Sequence, residues 1–282
     1  MDYVVPAEVV SDALKAAVKK AGLSAGDMLI RGFLAGAFLG YATSLVFVAL
    51  SQGVPGIVGA IIFPVGFVML VLLGFELATG NFALLPAALM DQRISRGAMI
   101  RNWVCVYAGN LIGSVFYALL FYLAITSFGA NNGAGLGDQI RQAAERKTLA
   151  YAALGMGGWG TAFIKAMLCN WMVTVGTMLA FASRSTIGKI AAMWLPITIF
   201  FAHGYEHSIV NMFLIPAGML LGAHVSAGQW WWWNQIPVTI GNMLAGAFFT
   251  GIALWYTYAR KQEHVTQTSE APSSVAVAAG GD

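Results

Sequence analysis

Six apolar segments run along the chain, each bounded by charged, glycine or proline residues, at about 28–50, 56–90, 102–128, 157–182, 190–222 and 234–259. At 1.5 Å of rise per residue, most of them match a hydrocarbon layer of about 30 Å. Segments two and five are too long for one straight span. Each carries a glutamate near its middle, Glu76 and Glu206, close to a glycine and followed ten residues later by Pro86 or Pro216. Both are read as helices broken within the membrane. Composition closes off the soluble alternative. With 59% hydrophobic and 10% charged residues, a folded surface in water would be left with large apolar patches. The expected class is an all-α membrane protein with six transmembrane helices. The 33 glycines suit close helix approach in lipid. Cys105 and Cys169 lie inside apolar stretches without paired spacing, so neither a disulfide framework nor a metal ribbon is expected.

Lys and Arg residues set the expected orientation. Lys15, Lys19, Lys20, Arg31, Arg93, Arg96, Arg101, Arg184, Lys189, Arg260 and Lys261 fall on one side, against Arg141, Arg146 and Lys147 on the other. Both termini are therefore placed in the cytoplasm of a multi-pass protein of the inner (cytoplasmic) membrane. Residues 1–24 read as a cytoplasmic amphipathic helix on the membrane surface, with Pro6 early, Val10, Leu14, Ala17, Val18 and Ala21 on one face and Gly22 past its end. Residues 25–260 are read as the six-helix transmembrane domain, and 261–282 as a disordered cytoplasmic tail. A net charge of +3 is too small to suggest a nucleic-acid partner. The run Trp230 to Trp233 reads as an interfacial aromatic anchor.

The second half repeats the first. GFELATGNFALLPAALM at 74–90 aligns with GYEHSIVNMFLIPAGML at 204–220, matching Gly, Glu, Asn, Leu, Pro and Ala in register. Asn102, Val106, Gly109 and Asn110 then align with Asn234, Val238, Gly241 and Asn242. Halves of about 28–128 and 157–259 with three spans each must lie in opposite orientations, which is a 3+3 inverted repeat with its substrate path near the midplane, at the broken helices. The half-helices beginning near Asn81 and Asn211 would turn free N–H groups and positive dipole ends toward the centre and favour anions there.

Because Glu76 and Glu206 are equivalent, they are assigned to support of the breaks, accepting hydrogen bonds from freed backbone N–H groups, with Asn81 and Asn211 serving the same breaks. Differences between the halves point to function. Leu77 becomes His207 and Ala78 becomes Ser208. His207 is thus the candidate proton or hydrogen-bond donor to a permeant species. Thr79 offers a hydroxyl at the first break that could reach toward it. His203, one turn earlier, is read as packing and Lys165 as structural. A competing reading is an intramembrane metal-dependent enzyme built on Glu76, Glu206, His203 and His207. Matching glutamates at two breaks suggest symmetry instead, and no HExxH or nucleophile motif is present. A neutral-solute channel of the aquaporin type would need paired NPA motifs and a filter arginine, which are missing.

The strings GYEHSIVNMFLIP at 204–216, LCNWMV at 168–173, NWVCVYAGNLIG at 102–113 and IPVTIGN at 236–242 closely resemble the formate/nitrite transporter family of bacterial anion channels. The resemblance spans about residues 5–260. It implies an aquaporin-like fold assembled as a homopentamer with one pore per protomer in the lipid bilayer. It also implies transport of small monovalent anions such as formate, nitrite, hydrosulfide, acetate or lactate, without catalysis, cofactor or metal. By the same resemblance His207 is the central pore histidine, Thr79 the threonine of the first break, and Asn170 the asparagine that helps hold this centre. Phe63, Phe67, Val173 and Phe200 fall at the apolar constrictions, and Lys147 at the anion-attracting vestibule. Phe67 is bulkier than the leucine common in the family. Ala78 replaces an aromatic found in formate channels, which would leave the inner constriction more open.

Overall fold

Residues 2–260 are described by a computed structural model, and all the long apolar segments are helical in it. The tail expected at 261–282 lies outside the described residues. In chain order the helices are α1 (Pro6–Ala21), α2 (Ala25–Ser51), α3 (Gly56–Ile62), α4 (Pro64–Leu72), α5 (Ala78–Met90), α6 (Arg96–Ile125), α7 (Ala134–Arg146), α8 (Leu149–Ala153), α9 (Gly155–Leu179), α10 (Thr186–Ala202) and α11 (Ser208–Leu220), and then α12 (Ala227–Ala259), which contains π-helical turns. Four of these, α2, α6, α9 and α12, are long and apolar enough to cross a membrane. The apolar stretches 56–72, 78–90, 186–202 and 208–220 are shorter.

Helix starts follow side-chain capping. Ser24, Ser95, Ser185 and Ser226 each accept a hydrogen bond from a backbone N–H one turn in, at the heads of α2, α6, α10 and α12. Glycines set how closely the long helices approach. Gly32 and Gly36 of α2 face Gly109 and Gly113 of α6 so tightly that a Cβ at Gly36 would collide with the Asn110 carbonyl, and one at Gly113 with the Phe33 carbonyl. Gly241 of α12 meets the Phe163 carbonyl and Ala166 of α9 in the same manner.

The amphipathic helix α1 ends at Ala21, before Gly22. Its apolar residues Val10, Ala13, Leu14 and Ala17 are buried with Leu84, Leu85 and Ala88 of α5 and Met178 of α9. The expectation that this face rests on lipid is thereby corrected, because protein covers it. The sequence reading assigned no element to 134–146. There α7 buries Ile140 and Ala143 with Phe213, Leu214 and Ala217 of α11, and its buried Ala144 lies against Gly218. An amphipathic helix thus packs on each of the half-helices that follow the two breaks. In the tryptophan run, Trp230 is buried, whereas Trp231 and Trp232 are exposed.

Candidate functional site

The two interruptions, between α4 and α5 and between α10 and α11, are built by the same set of atoms. Gly74 and Gly204 take φ of 68° and 62°, a left-handed turn that costs a residue with a Cβ and costs glycine little. Leu77 and His207 have φ/ψ of −115°/118° and −115°/119°. Glu76 N–H donates to the Arg31 carbonyl at 3.3 Å and Glu206 N–H to that of Lys165 at 3.4 Å.

Asparagines close the freed backbone. Asn110 Nδ2 donates to the Gly32 and Glu76 carbonyls, both at 2.8 Å, while its Oδ1 accepts Ala78 N–H at 2.9 Å. Asn242 repeats the pattern on Ala166, Glu206 and Ser208 at 2.8, 3.0 and 2.9 Å. The half-helices begin at Ala78 and Ser208, three residues earlier than expected from the sequence, and these asparagines cap the first N–H of each.

The buried glutamates are satisfied by side chains. Glu76 accepts Lys20 Nζ at 2.8 Å and Asn81 Nδ2 at 2.8 Å. Glu206 accepts Lys147 Nζ at 2.9 Å and Asn211 Nδ2 at 2.8 Å, together with the Tyr151 hydroxyl at 2.8 Å. Asn81 and Asn211 also donate to Asn102 and Asn234 Oδ1, each at 2.9 Å. Those two asparagines donate onward to the carbonyls of Lys20 and Lys147, at 3.0 and 2.9 Å. The expectation of backbone donors to the carboxylates is corrected. A carboxylate buried at 2% exposure needs a full counter-charge, and a lysine ammonium supplies one where a peptide N–H cannot. Lys147, expected to attract anions, is thus engaged by Glu206. Sequence reasoning counts Lys20 only among the cations that set orientation and gives no role to Tyr151. Asn102 and Asn234 did carry a signal, as aligned polar residues in the repeat.

His207 and Thr79, from different breaks, meet at 3.1 Å between Nε2 and Oγ1. His207 Nδ1 accepts Val210 N–H at 3.2 Å. Nδ1 is therefore unprotonated, the ring is neutral with its proton on Nε2, and that proton points at the threonine oxygen. Asn170 donates to the Thr79 carbonyl at 3.1 Å and the Asn242 carbonyl at 2.6 Å, and its buried Oδ1 has no partner among the described residues. The Phe200 ring stacks on His207 with centroids 5.8 Å apart. Phe63 lies against Phe200 at 5.7 Å. Phe63 and Val173 are buried in the same apolar cluster as Phe67 and Phe200. His203 is exposed and stacks on Tyr205, and Lys165 lies 5.8 Å from the centre of the Tyr151 ring.

Two cavities approach this centre. One of about 250 Å³ on the α1 side is lined by Lys20, Phe67, Leu70, Leu77, Thr177 and Lys189, among others. The other, about 210 Å³ on the α7 side, includes Arg146, Lys147, Phe200, Tyr205 and His207 in its wall. A larger groove of about 520 Å³ between α6 and α12 is lined by no charged residue and does not touch His207. No group of three or more His, Cys, Asp or Glu side chains that could hold a metal ion occurs among the described residues. The four residues of the enzyme reading are not gathered into one centre, since each glutamate is tied to its own lysine.

Residues 7–256 match the sequence profile of a family described as formate/nitrite transporter. The chain is 37% identical to a probable formate transporter of Methanothermobacter thermautotrophicus, over 84% of this chain and 90% of that protein. It is 30% identical to the formate channel FocA of Escherichia coli K12, over 93% and 97%. Among solved structures, it resembles an FNT family ion channel with a TM-score of 0.75 and 29% identity, covering 89% of this chain and 98% of that one. It also resembles a pentameric formate channel with formate bound, with a TM-score of 0.65, 25% identity and coverage of 83% and 98%.

Proposed function

Because the chain belongs to the formate/nitrite transporter family, we propose that it conducts small monovalent weak-acid anions across the membrane, coupled to proton transfer at His207. It is a transporter and not an enzyme, as are its relatives. Formate and nitrite stand first as substrates, with hydrosulfide, acetate and lactate of the same chemistry. The working unit is a homopentamer in the inner membrane, as the pentameric formate channel is pentameric. Each protomer is a 3+3 inverted repeat of six spans, with the second and fifth broken and both termini cytoplasmic. Residues 1–24 form the cytoplasmic helix and 25–260 the channel.

The observation that carries this reading is the placement of His207. It lines one cavity and hydrogen-bonds to Thr79 of the opposite break, at the end of a helix whose equivalent has Leu77. An anion moving between Phe200 and Phe67 leaves water for an apolar passage, where its charge is penalised by several kcal/mol or more. The imidazole Nε2–H is the donor it meets. When the ring takes up a proton from solvent, Nδ1 must release Val210 N–H. Passing the Nε2 proton to the anion sends the substrate on as a neutral acid and leaves the ring protonated on Nδ1. The Val210 bond returns once Nε2 is reprotonated and Nδ1 gives up its own proton. Thr79 and Asn170 orient the donor, and the glutamate clusters hold the breaks.

Uptake of a panel of small anions into proteoliposomes, with internal pH recorded, tests the reading. The expected result is flux of formate or nitrite accompanied by internal acidification, as the acid that enters releases its proton, and this acidification depends on His207. Proton-coupled flux that survives His207→Phe unchanged overturns the role of the histidine.

A further inference from the structure

The groove of about 520 Å³ between α6 and α12 lies apart from the path through His207. Its size falls within the roughly 300–1,000 Å³ of sites that take a small organic molecule. Phe82, Trp103, Leu111, Trp231 and Met243 line it, and Val104, 62% exposed, leaves it open at the side. Tyr107, Gln235 and Thr239 form its polar base. In the alignment that pairs Asn102 with Asn234, Trp103 falls on Gln235 and Tyr107 on Thr239, so the two halves contribute unlike residues to it. Tyr107 and Thr239 lie about 5 and 6 Å from the midpoints of α6 and α12, at 1.5 Å per residue. Lipid headgroups stay at the edges of a hydrocarbon layer of about 30 Å, and the chains that reach this depth carry no hydrogen-bonding group.

One donor of the polar base is left over. The Tyr107 and Thr239 hydroxyls lie 2.8 Å apart, and one hydrogen serves that contact. The other hydroxyl hydrogen needs a second acceptor. Gln235 does not supply it, because its Nε2 donates to the Tyr107 oxygen at 2.8 Å and faces Thr239 Oγ1 at 3.3 Å and the Ser208 carbonyl at 3.4 Å. The amide cannot be reversed. Its Oε1 accepts Trp230 Nε1–H at 3.2 Å, and a reversed amide would set oxygen against the Ser208 carbonyl. Thr43, Thr174, Thr177 and Thr198 each return their hydrogen to the carbonyl four residues earlier. Thr239 makes no such bond, and among the described residues no carbonyl or carboxylate accepts from either hydroxyl. Left unmet in hydrocarbon, a polar hydrogen of this kind costs about 1–3 kcal/mol.

We propose that this groove is a lateral binding site for a membrane-dissolved quinone, whose flat apolar ring lies between the aromatic walls and whose carbonyl accepts the surplus hydroxyl hydrogen. A ring carbonyl supplies the acceptor at a depth no lipid headgroup reaches, and adds no further hydrogen to place. The site does not rest on the transport reading. It lies close to the pore centre all the same, since Gln235 joins its base to the carbonyl of Ser208, the residue after His207.

Photolabelling with benzophenone, an aryl ketone, tests the site on the assembled protein in phosphatidylcholine vesicles. Labelled residues are mapped by mass spectrometry, and two competitors of one shape are compared at equal mole fraction in the lipid: duroquinone, which has carbonyls, and durene, which has none. Saturable labelling at Met243 is expected, displaced by duroquinone at a concentration about two- to twelvefold lower than by durene, the effect of one hydrogen bond. Tyr107→Phe combined with Thr239→Val should abolish the difference between the competitors. Either single variant leaves one hydroxyl hydrogen unplaced and should retain it. Equal displacement by the two competitors in the wild type, which requires no variant to fold, overturns the proposal. Labelling that rises without saturation overturns it as well. So does an unlabelled groove whose Met243 cross-links to a second copy of the chain, which would make the groove a contact between protomers.

Discussion

Thr79 Oγ1 and His207 Nε2 are contributed by two breaks 128 residues apart, yet lie within hydrogen-bond distance at 3.1 Å, both buried. The contact fixes the direction of the only imidazole proton, because Nδ1 already accepts Val210 N–H. Chain segments remote in sequence thus define one donor, and the donor exists only when both breaks are intact.

Thr79→Val keeps the shape and removes the acceptor. Losing one such hydrogen bond costs about 0.5–1.5 kcal/mol, so anion uptake should fall roughly two- to twelvefold, with Thr79→Ser near wild type. Initial uptake rates in proteoliposomes check this. A valine variant that transports at the wild-type rate shows that the threonine does not orient the ring.

Removing the ammonium from a buried pair should be far more damaging than adjusting the pore. Lys20→Met leaves Glu76, 2% exposed, without its counter-charge, a loss on the order of 3–5 kcal/mol. Lys147→Met should cost less than Lys20→Met, since Glu206 keeps the Tyr151 hydroxyl as well as Asn211. Thermal unfolding of the purified protein reads both, and Lys20→Met combined with Glu76→Gln should recover much of the loss. A single variant as stable as wild type contradicts the need for the pair.

Much of this was legible in the sequence, and the limits have physical causes. A glutamate, an asparagine and a proline recurring together located both breaks, because polar groups in lipid are retained only where backbone or ligand requires them. Leu77 against His207 singled out the histidine. The partners of the glutamates stayed hidden because Lys20 and Lys147 lie 56 and 59 residues from Glu76 and Glu206, on amphipathic helices whose sequences share little beyond their pattern. The helix α7 went unread for the same reason. Its apolar stripe is interrupted by Gly, Gln and Arg, and its tight fit to α11 uses alanines that carry little hydrophobic signal. The starts of α5 and α11 were displaced by three residues because Asn110 and Asn242, from other helices, cap N–H groups that local sequence leaves open.

Small residues at the α2–α6 contact should be intolerant of a single methyl group. A Cβ at Gly113 collides with the Phe33 carbonyl, which is backbone and cannot move aside. Gly113→Ala is expected to destabilise by about 1–3 kcal/mol. At Gly157 of α9 a Cβ meets nothing, and Gly157→Ala should be neutral or stabilising by up to about 1 kcal/mol, the helix-propensity gain. Equal unfolding temperatures for the two variants would remove the argument that the glycines set the helix spacing.

Docking of the N-terminal segment should depend on acid in a defined window. Asp2 accepts the Ser183 hydroxyl at 2.8 Å, Ser185 N–H at 2.6 Å and Arg184 N–H at 2.8 Å, while Asp12 accepts Arg184 Nη1 at 2.8 Å. The Ser183 hydroxyl and then the Ser185 N–H hold the Asp2 carboxyl below its ordinary value of 3.8, and the Arg184 guanidinium foremost does the same for Asp12. A carboxylate whose folded-state value is depressed adds its stabilisation in full above the unfolded value, and loses it as pH falls through the lowered one. Hydrogen exchange of the α1 amides should therefore be protected equally from about pH 7 to about pH 5, once the intrinsic exchange rate is allowed for, and lose protection progressively below about pH 4. Asp2→Asn should remove part of that dependence, and Asp2→Asn with Asp12→Asn more of it, the Glu8–Arg184 and Lys20–Glu76 pairs being left in place. Protection that is constant down to about pH 3 in the wild type would mean that the carboxylate contacts do not hold α1 in place.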